Sequence, residues 1–119
     1  MVSSVLIVDD DSAFLALASR VLTGLGIEVV AGAPDAETAV KVAEGLRPEG
    51  ALVDVGLPDR NGIDLAYELA ALPWEPVVVL TSSDADAAFA INSHPGRAIP
   101  FVPKDKLTNG SLPRHFGRG

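Results

Sequence analysis

The sequence predicts an α/β fold, a doubly wound parallel sheet covered by helices on both faces. Three observations predict it. Short apolar runs alternate with longer stretches of helical period along the chain. The short runs are apolar throughout rather than at every second residue, as expected of strands buried on both faces. Glycine, proline and aspartate punctuate the boundaries. Right-handed crossovers then wind five βα units into a three-layer sandwich, with the functional crevice at the carboxyl ends of the strands.

Residues 5–8 read as the first strand. Phe14, Leu17, Ala18, Val21, Leu22 and Leu25 form the apolar face of a helix. Asp11 or Ser12 can cap its start, and Gly24 or Gly26 can end it. Residues 27–31 are the second strand. Pro34 and Asp35 open a helix carrying Ala39, Val40, Val42, Ala43 and Leu46, and Pro48 stops it. Residues 51–55 are the third strand. The stretch "GLPDRNG", residues 56–62, is a loop of turn formers. Residues 63–72 make a helix stopped by Pro73, and residues 77–80 the fourth strand. A shorter, alanine-rich helix at 84–91 and a turn at "SHPGR", residues 93–97, follow. Phe101 and Val102 lie in a short fifth strand. Beyond Leu107 there is room for a helical turn or two, so the last helix is short or irregular.

A chain of 119 residues fits one domain, a single unit over 1–119 with no room for an output domain. Hydrophobic residues at 48% fill a core, and charged residues at 21% match ordinary globular composition rather than disorder. No apolar run approaches the roughly 18 residues of a membrane span, and no secretory leader pattern opens the chain. Cysteine is absent, which excludes disulfides and thiolate metal sites and fits a cytoplasmic location. A net charge of −7 opposes binding to phosphate backbones, so no nucleic-acid partner is expected.

The polar groups at the strand ends are acids, hydroxyls and a lysine. In "VLIVDDDS", strand one runs into Asp9 and Asp10; in "LVDVGLP", strand three reaches Asp54. Thr81 and Ser82 end strand four, and Lys104 follows strand five. Carboxylates converging on one spot repel unless a cation joins them. Hard oxygen donors without thiol or imidazole suit Mg²⁺.

In this combination the chain resembles the receiver domain of bacterial two-component response regulators. The resemblance runs from "VLIVDDDS" through "ALVDVGLPDRNGIDLAYEL" and "VVVLTSS" to "FVPKDKL". It implies a flavodoxin-like sheet in the order 2-1-3-4-5. It implies that Asp54 accepts a phosphoryl group and that Asp9, Asp10, Asp54 and the Gly56 backbone carbonyl hold Mg²⁺. Lys104 would contact a phosphoryl oxygen, and the Thr81 hydroxyl would hydrogen-bond the attached group. The donor would be a sensor histidine kinase or His-phosphotransfer protein. The output would be changed binding to a downstream protein, by a monomer or weak dimer that catalyses only its own phosphorylation and dephosphorylation.

Other readings stand beside this one. A pseudo-receiver would share the fold and act as a phosphorylation-independent interaction module. A phosphatase-like hydrolase with an aspartyl nucleophile fits less well, because its Asp-x-Asp motif follows strand one, whereas here the pair is adjacent and the lone Asp54 is on strand three. Asp11 reads as a helix cap, His94 and His115 as surface residues, and Trp74 as a packing residue. Gly56 and Ser83 are small and leave the approach to Asp54 open. The chain departs from the family where Asp105 follows Lys104, where "SHPGRAIP" replaces a Gly-Ala pair, and where Pro113 interrupts the final helix. Phe101 occupies the aromatic switch position, so that position has no phenolic hydroxyl.

Overall fold

The computed structural model describes residues 2–84, 87, 98–108 and 115–116. Its strands are β1 (Ser4–Val8), β2 (Glu28–Ala33), β3 (Gly50–Asp54), β4 (Val77–Ser82) and β5 (Phe101–Pro103). They form one 5-stranded sheet in the order β2-β1-β3-β4-β5, with every pair parallel. Helices α1 (Ser12–Gly24), α2 (Ala36–Leu46) and α3 (Gly62–Ala70) connect the first four strands. The apolar runs are continuous because the sheet is buried on both sides. On β1, Leu6 and Val8 pack with Ala36, Ala39 and Ala43 of α2 and Ile63, Leu65, Ala66 and Leu69 of α3. Val5 and Ile7, alternating with them, pack with Phe14, Ala18 and Leu22 of α1.

The helix ends follow local chemistry. Asp11 caps α1, accepting from Ala13 N at 3.0 Å and Phe14 N at 3.4 Å. Gly26, just beyond the end of α1, takes the left-handed conformation at φ 83° that only glycine adopts freely. Asp35 caps α2 through Thr38 N at 2.8 Å. At the other end of α2, Pro48 disfavours helical geometry in the residue before it. Arg47, the C-cap of α2, leaves the helix in the left-handed region at φ 49°. Its guanidinium lies 5.0 Å from the Trp74 ring centroid, and Trp74 Nε1 donates to Pro48 O at 2.8 Å. Trp74 is thus a packing residue that ties two loops together.

Several boundaries shift from the sequence reading. Strand β2 continues through Gly32 to Ala33, past the expected end at residue 31, because its register with β1 slips between Val5 and Leu6 and then continues. Strand β4 extends beyond residue 80 because β5 pairs Val102 with Thr81 and Pro103 with Ser82. Pro103 is tolerated there because β5 is an edge strand. Strand β3 ends at Asp54, one residue early, and α3 ends at Ala70 with Ala71 as its cap. The expected helix at 84–91 falls outside the described residues except for Asp84 and Ala87, and the turn at 93–97, with His94, lies wholly outside them. After β5, Lys104–Lys106 form a 3₁₀ turn. Among residues 109–119 only 115 and 116 are described, so the last helix, Pro113 included, otherwise lies outside.

The chain beyond Leu107 does more than the sequence suggested. Phe116 is 1% exposed and packs in the cluster with Val2, Val5 and Leu107. Its carbonyl accepts from Val2 N at 2.9 Å. A Cβ built on Gly50 would lie 2.9 Å from Phe116 Cε1, so the missing side chain at Gly50 makes room for the ring. His115, expected on the surface, is half-buried beside it. Phe116→Ala should therefore lower stability by about 3–5 kcal/mol, the usual cost of deleting a buried aromatic ring. Urea unfolding followed by circular dichroism measures this, and an unchanged midpoint would show that the ring adds nothing to the core.

Candidate functional site

Strand register builds the site. Val8 pairs with Val53, so Asp9 and Asp54 each emerge one step further along neighbouring strands. Asp54 pairs with Thr81, and Thr81 with Val102, two residues before Lys104. The Asp9 amide donates to Ala33 O at 2.9 Å, so the added length of β2 fixes the backbone of Asp9. The structure thus brings Asp9, Asp10, Asp54, Thr81 and Lys104 to the carboxyl edge of the sheet, where an open doubly wound sheet binds its ligands. Oxygens of Asp9, Asp10 and Asp54 lie within 4.8 Å of one another.

Charge organises this edge. Asp9 is fully buried, Asp54 is 6% exposed, and Asp10 is open to solvent. Lys104 Nζ lies 2.8 Å from Asp9 Oδ2 and 3.6 Å from Asp54 Oδ2. It also stands 4.5 Å from the Phe14 ring centroid, so a residue of the α1 core face supports the ammonium as well. Burial alone would push the Lys104 ammonium down, but the carboxylates of Asp9 and Asp54 outweigh it and the net shift is upward. Asp54 is pushed above its ordinary value, first by burial and then by the charge of Asp9. Lys104 and the Gly56 amide, which donates to Asp54 Oδ1 at 3.3 Å, only partly counter this.

Two features fit a cation and an anion that the chain alone does not supply. The three acids offer only hard carboxylate oxygens, a donor set suited to Mg²⁺. Thr81 Oγ1 is buried and has no hydrogen-bond partner among the described residues. A hydroxyl in that state costs stability unless something else satisfies it. Beside Lys104, a cleft of about 460 Å³ is lined by Ser82, Ser83, Phe101 and Pro103 among others.

The loop after β3 is built around Asp54. A Cβ at Gly62 would land on the Asp54 carbonyl oxygen and within 2.8 Å of Val55 Cα, so only glycine fits. Gly62 N donates to Val55 O at 2.9 Å, and Gly56 bridges Asn61. Gly56 itself faces open space, with nothing within 4 Å of where a Cβ would be. The sequence reading missed two residues here. Phe14 looked like an ordinary core position on a helix face, and nothing in the sequence distinguishes it. Asp59 looked like a turn former, yet its carboxylate accepts from Ala36 N at 2.9 Å and Glu37 N at 3.1 Å.

Fold and site together define a signalling receiver. A sequence model of the response regulator receiver domain matches residues 5–109, and the chain belongs to that family. Transcriptional regulatory protein PdtaR of Mycobacterium tuberculosis is 38% identical over 78 residues, covering 66% of this chain and 38% of that protein. DNA-binding response regulator MtrA of the same organism is 36% identical over 107 residues, 85% of this chain and 46% of that protein. This chain therefore spans less than half the length of these two curated relatives. The receiver domain of the putative response regulator NarL from Mycobacterium tuberculosis superposes with a TM-score of 0.79 at 25% identity, covering 98% of both chains. A CheY-like receiver from Methanospirillum hungatei gives 0.77 at 24% identity over 96% of this chain and 90% of that one, a likeness of fold. Receiver domains of this family bind Mg²⁺ at an acidic pocket and interact with histidine kinases or phosphotransfer proteins. No described helix is long and apolar enough to cross a membrane.

The raised Asp54 value has a consequence for stability. The unfolded chain ionises this group at its ordinary 3.8, whereas the folded chain holds its proton to higher pH. The folded state therefore binds more protons between those values, and stability falls as pH rises through that window. In metal-free buffer, Asp54→Asn should be more stable than wild type at neutral pH, and its advantage should shrink as pH falls through the folded value towards 3.8. Urea unfolding across a pH series with chelator checks this. A variant less stable at neutral pH would show that the Lys104 contact outweighs the burial of Asp54.

Proposed function

We propose that this chain accepts a phosphoryl group on Asp54, in a Mg²⁺-dependent transfer from a sensor histidine kinase or His-phosphotransfer protein, and signals by changed binding to a downstream protein. One observation carries the reading: the Asp54 carboxylate stands at the sheet edge with oxygens of Asp9 and Asp10 within 4.8 Å of its own and the Lys104 ammonium 3.6 Å away. An Asp54 oxygen attacks phosphorus, the P–N bond to the donor imidazole breaks, and an acyl phosphate forms. Phosphoryl transfer asks the protein for positioning and positive charge rather than for covalent chemistry. Lys104, already held by Asp9, meets a phosphoryl oxygen. The unpartnered Thr81 Oγ1 gains an acceptor when the group arrives. Asp9, Asp10, Asp54 and the Gly56 carbonyl are the proposed ligands of Mg²⁺, which supplies charge neutralisation when bound.

The signal starts from the same atoms. Thr81 is drawn to the phosphoryl group, and Phe101, half-buried beside the cleft next to Lys104, repositions by packing, since it has no hydroxyl to rearrange. Incubation with acetyl phosphate and Mg²⁺ should add one phosphoryl group to the wild-type mass and none to Asp54→Asn. An unlabelled wild type that still binds a partner would instead support a phosphorylation-independent interaction module.

The lifetime of the acyl phosphate follows from the open space at Gly56. Water reaches Asp54 past that residue without steric hindrance. Gly56→Met should slow dephosphorylation by about tenfold, equivalent to about 1.4 kcal/mol of barrier. Decay of labelled protein on a phosphate-affinity gel after donor removal measures it. Equal decay in the two proteins would show that access at this position does not limit hydrolysis.

A further inference from the structure

The tip of the β3–α3 loop is exposed, yet it is tied to a different element. Asp59 accepts hydrogen bonds from Ala36 N at 2.9 Å and Glu37 N at 3.1 Å, the first amides of α2. These amides have no acceptor inside the helix, and the positive end of the helix dipole favours a carboxylate there. Asp35, the helix's own cap, uses Thr38 N instead, so the two acids divide the first turn between them. The amides of Ala36 and Glu37 hold the Asp59 carboxyl below the usual carboxylate range. The anchor is rigid: Ala36 is fully buried, and α2 packs on the sheet through Ala39 and Ala43.

Between Asp54 and this anchor the chain is short and mostly stiff. Leu57 packs against the core, and the ring of Pro58 fixes its backbone angle. Gly56, with no side chain to fix it, is held by its bridge to Asn61 across the loop and by its amide on Asp54 Oδ1 at 3.3 Å. We propose that Asp59 is a positioning residue for the metal site: by clamping the loop tip to α2, it holds the Gly56 carbonyl in register with Asp9, Asp10 and Asp54. This rests on the Mg²⁺ role given to Gly56 above. Without the clamp, the bridge to Asn61 moves with an untethered loop tip, and the Gly56 carbonyl is held less firmly towards the metal.

The test separates loop positioning from helix capping. Asp35→Ala removes a cap from the same helix without touching the loop. Asp59→Ala removes both the cap and the clamp, and Asp59→Asn keeps a carbonyl oxygen that can accept from one amide. Calorimetric titration with Mg²⁺ should show Asp59→Ala weakening binding by about tenfold, the low end of the loss seen when outer partners of a metal site are removed. Asp59→Asn should recover part of that loss, and Asp35→Ala should bind as wild type. With acetyl phosphate, the Mg²⁺ concentration for half-maximal labelling should rise in Asp59→Ala while the rate at saturating Mg²⁺ is retained. Circular dichroism verifies that each variant is folded. Wild-type affinity in a folded Asp59→Ala, or equal weakening in Asp35→Ala and Asp59→Ala, would overturn the positioning role alone. A wild type that takes up no Mg²⁺ would overturn the proposed function and this role with it.

Discussion

Two carboxylates withdrawn from water at the edge of a parallel sheet share one ammonium, and the site's chemistry follows from that imbalance. Asp9 has no exposure, and Lys104 at 2.8 Å is the counter-charge that its burial calls for. Asp54 lies further from the same ammonium and is left under-compensated, with its carboxyl shifted upward. Asp10, in water, adds a third negative group at little desolvation cost. The arrangement is stable enough to fold and leaves negative charge at the edge only partly offset. A fully neutralised cluster would leave no such excess, and an unpaired one would not tolerate burial.

The sheet makes this imbalance reproducible. Side chains one step past the ends of paired strands have nowhere to go but the crevice, and the two apolar clusters lock the register from both faces. A slip of one residue in β3 would exchange Asp54 for Val53 or Val55 and turn the strand's core residues over. Gly62 enforces the same discipline from outside, since the chain leaving β3 folds back so closely that no side chain fits above the Asp54 backbone.

Much of this was legible in the sequence, for a definable reason. Continuous apolar runs ending in acids marked β1 and β3, and the acid falls at the strand end because a buried sheet cannot accept it sooner. What could not be read depends on partners far away in sequence. The length of β2 follows from a register slip against β1, which leaves no trace in its own composition. Phe116 is a core residue because Gly50 leaves room for it, and neither residue announces the other. Asp59 sits among turn formers, where its presence already has a local explanation, so its bond to α2 is hidden behind that explanation. Phe14 satisfies a helix face and supports Lys104 with the same ring.

The position of Lys104 also separates the charges of the site along the sheet. Asp9 follows β1, and Asp54 and Thr81 lie on β3 and β4, each of these strands flanked by another on both sides. Their ammonium follows β5, an edge strand three residues long that pairs on one side only. The least supported part of the sheet therefore positions the group that offsets the carboxylates. A local opening of that edge, without unfolding the rest, would leave Asp9 and Asp54 facing one another without their counter-charge.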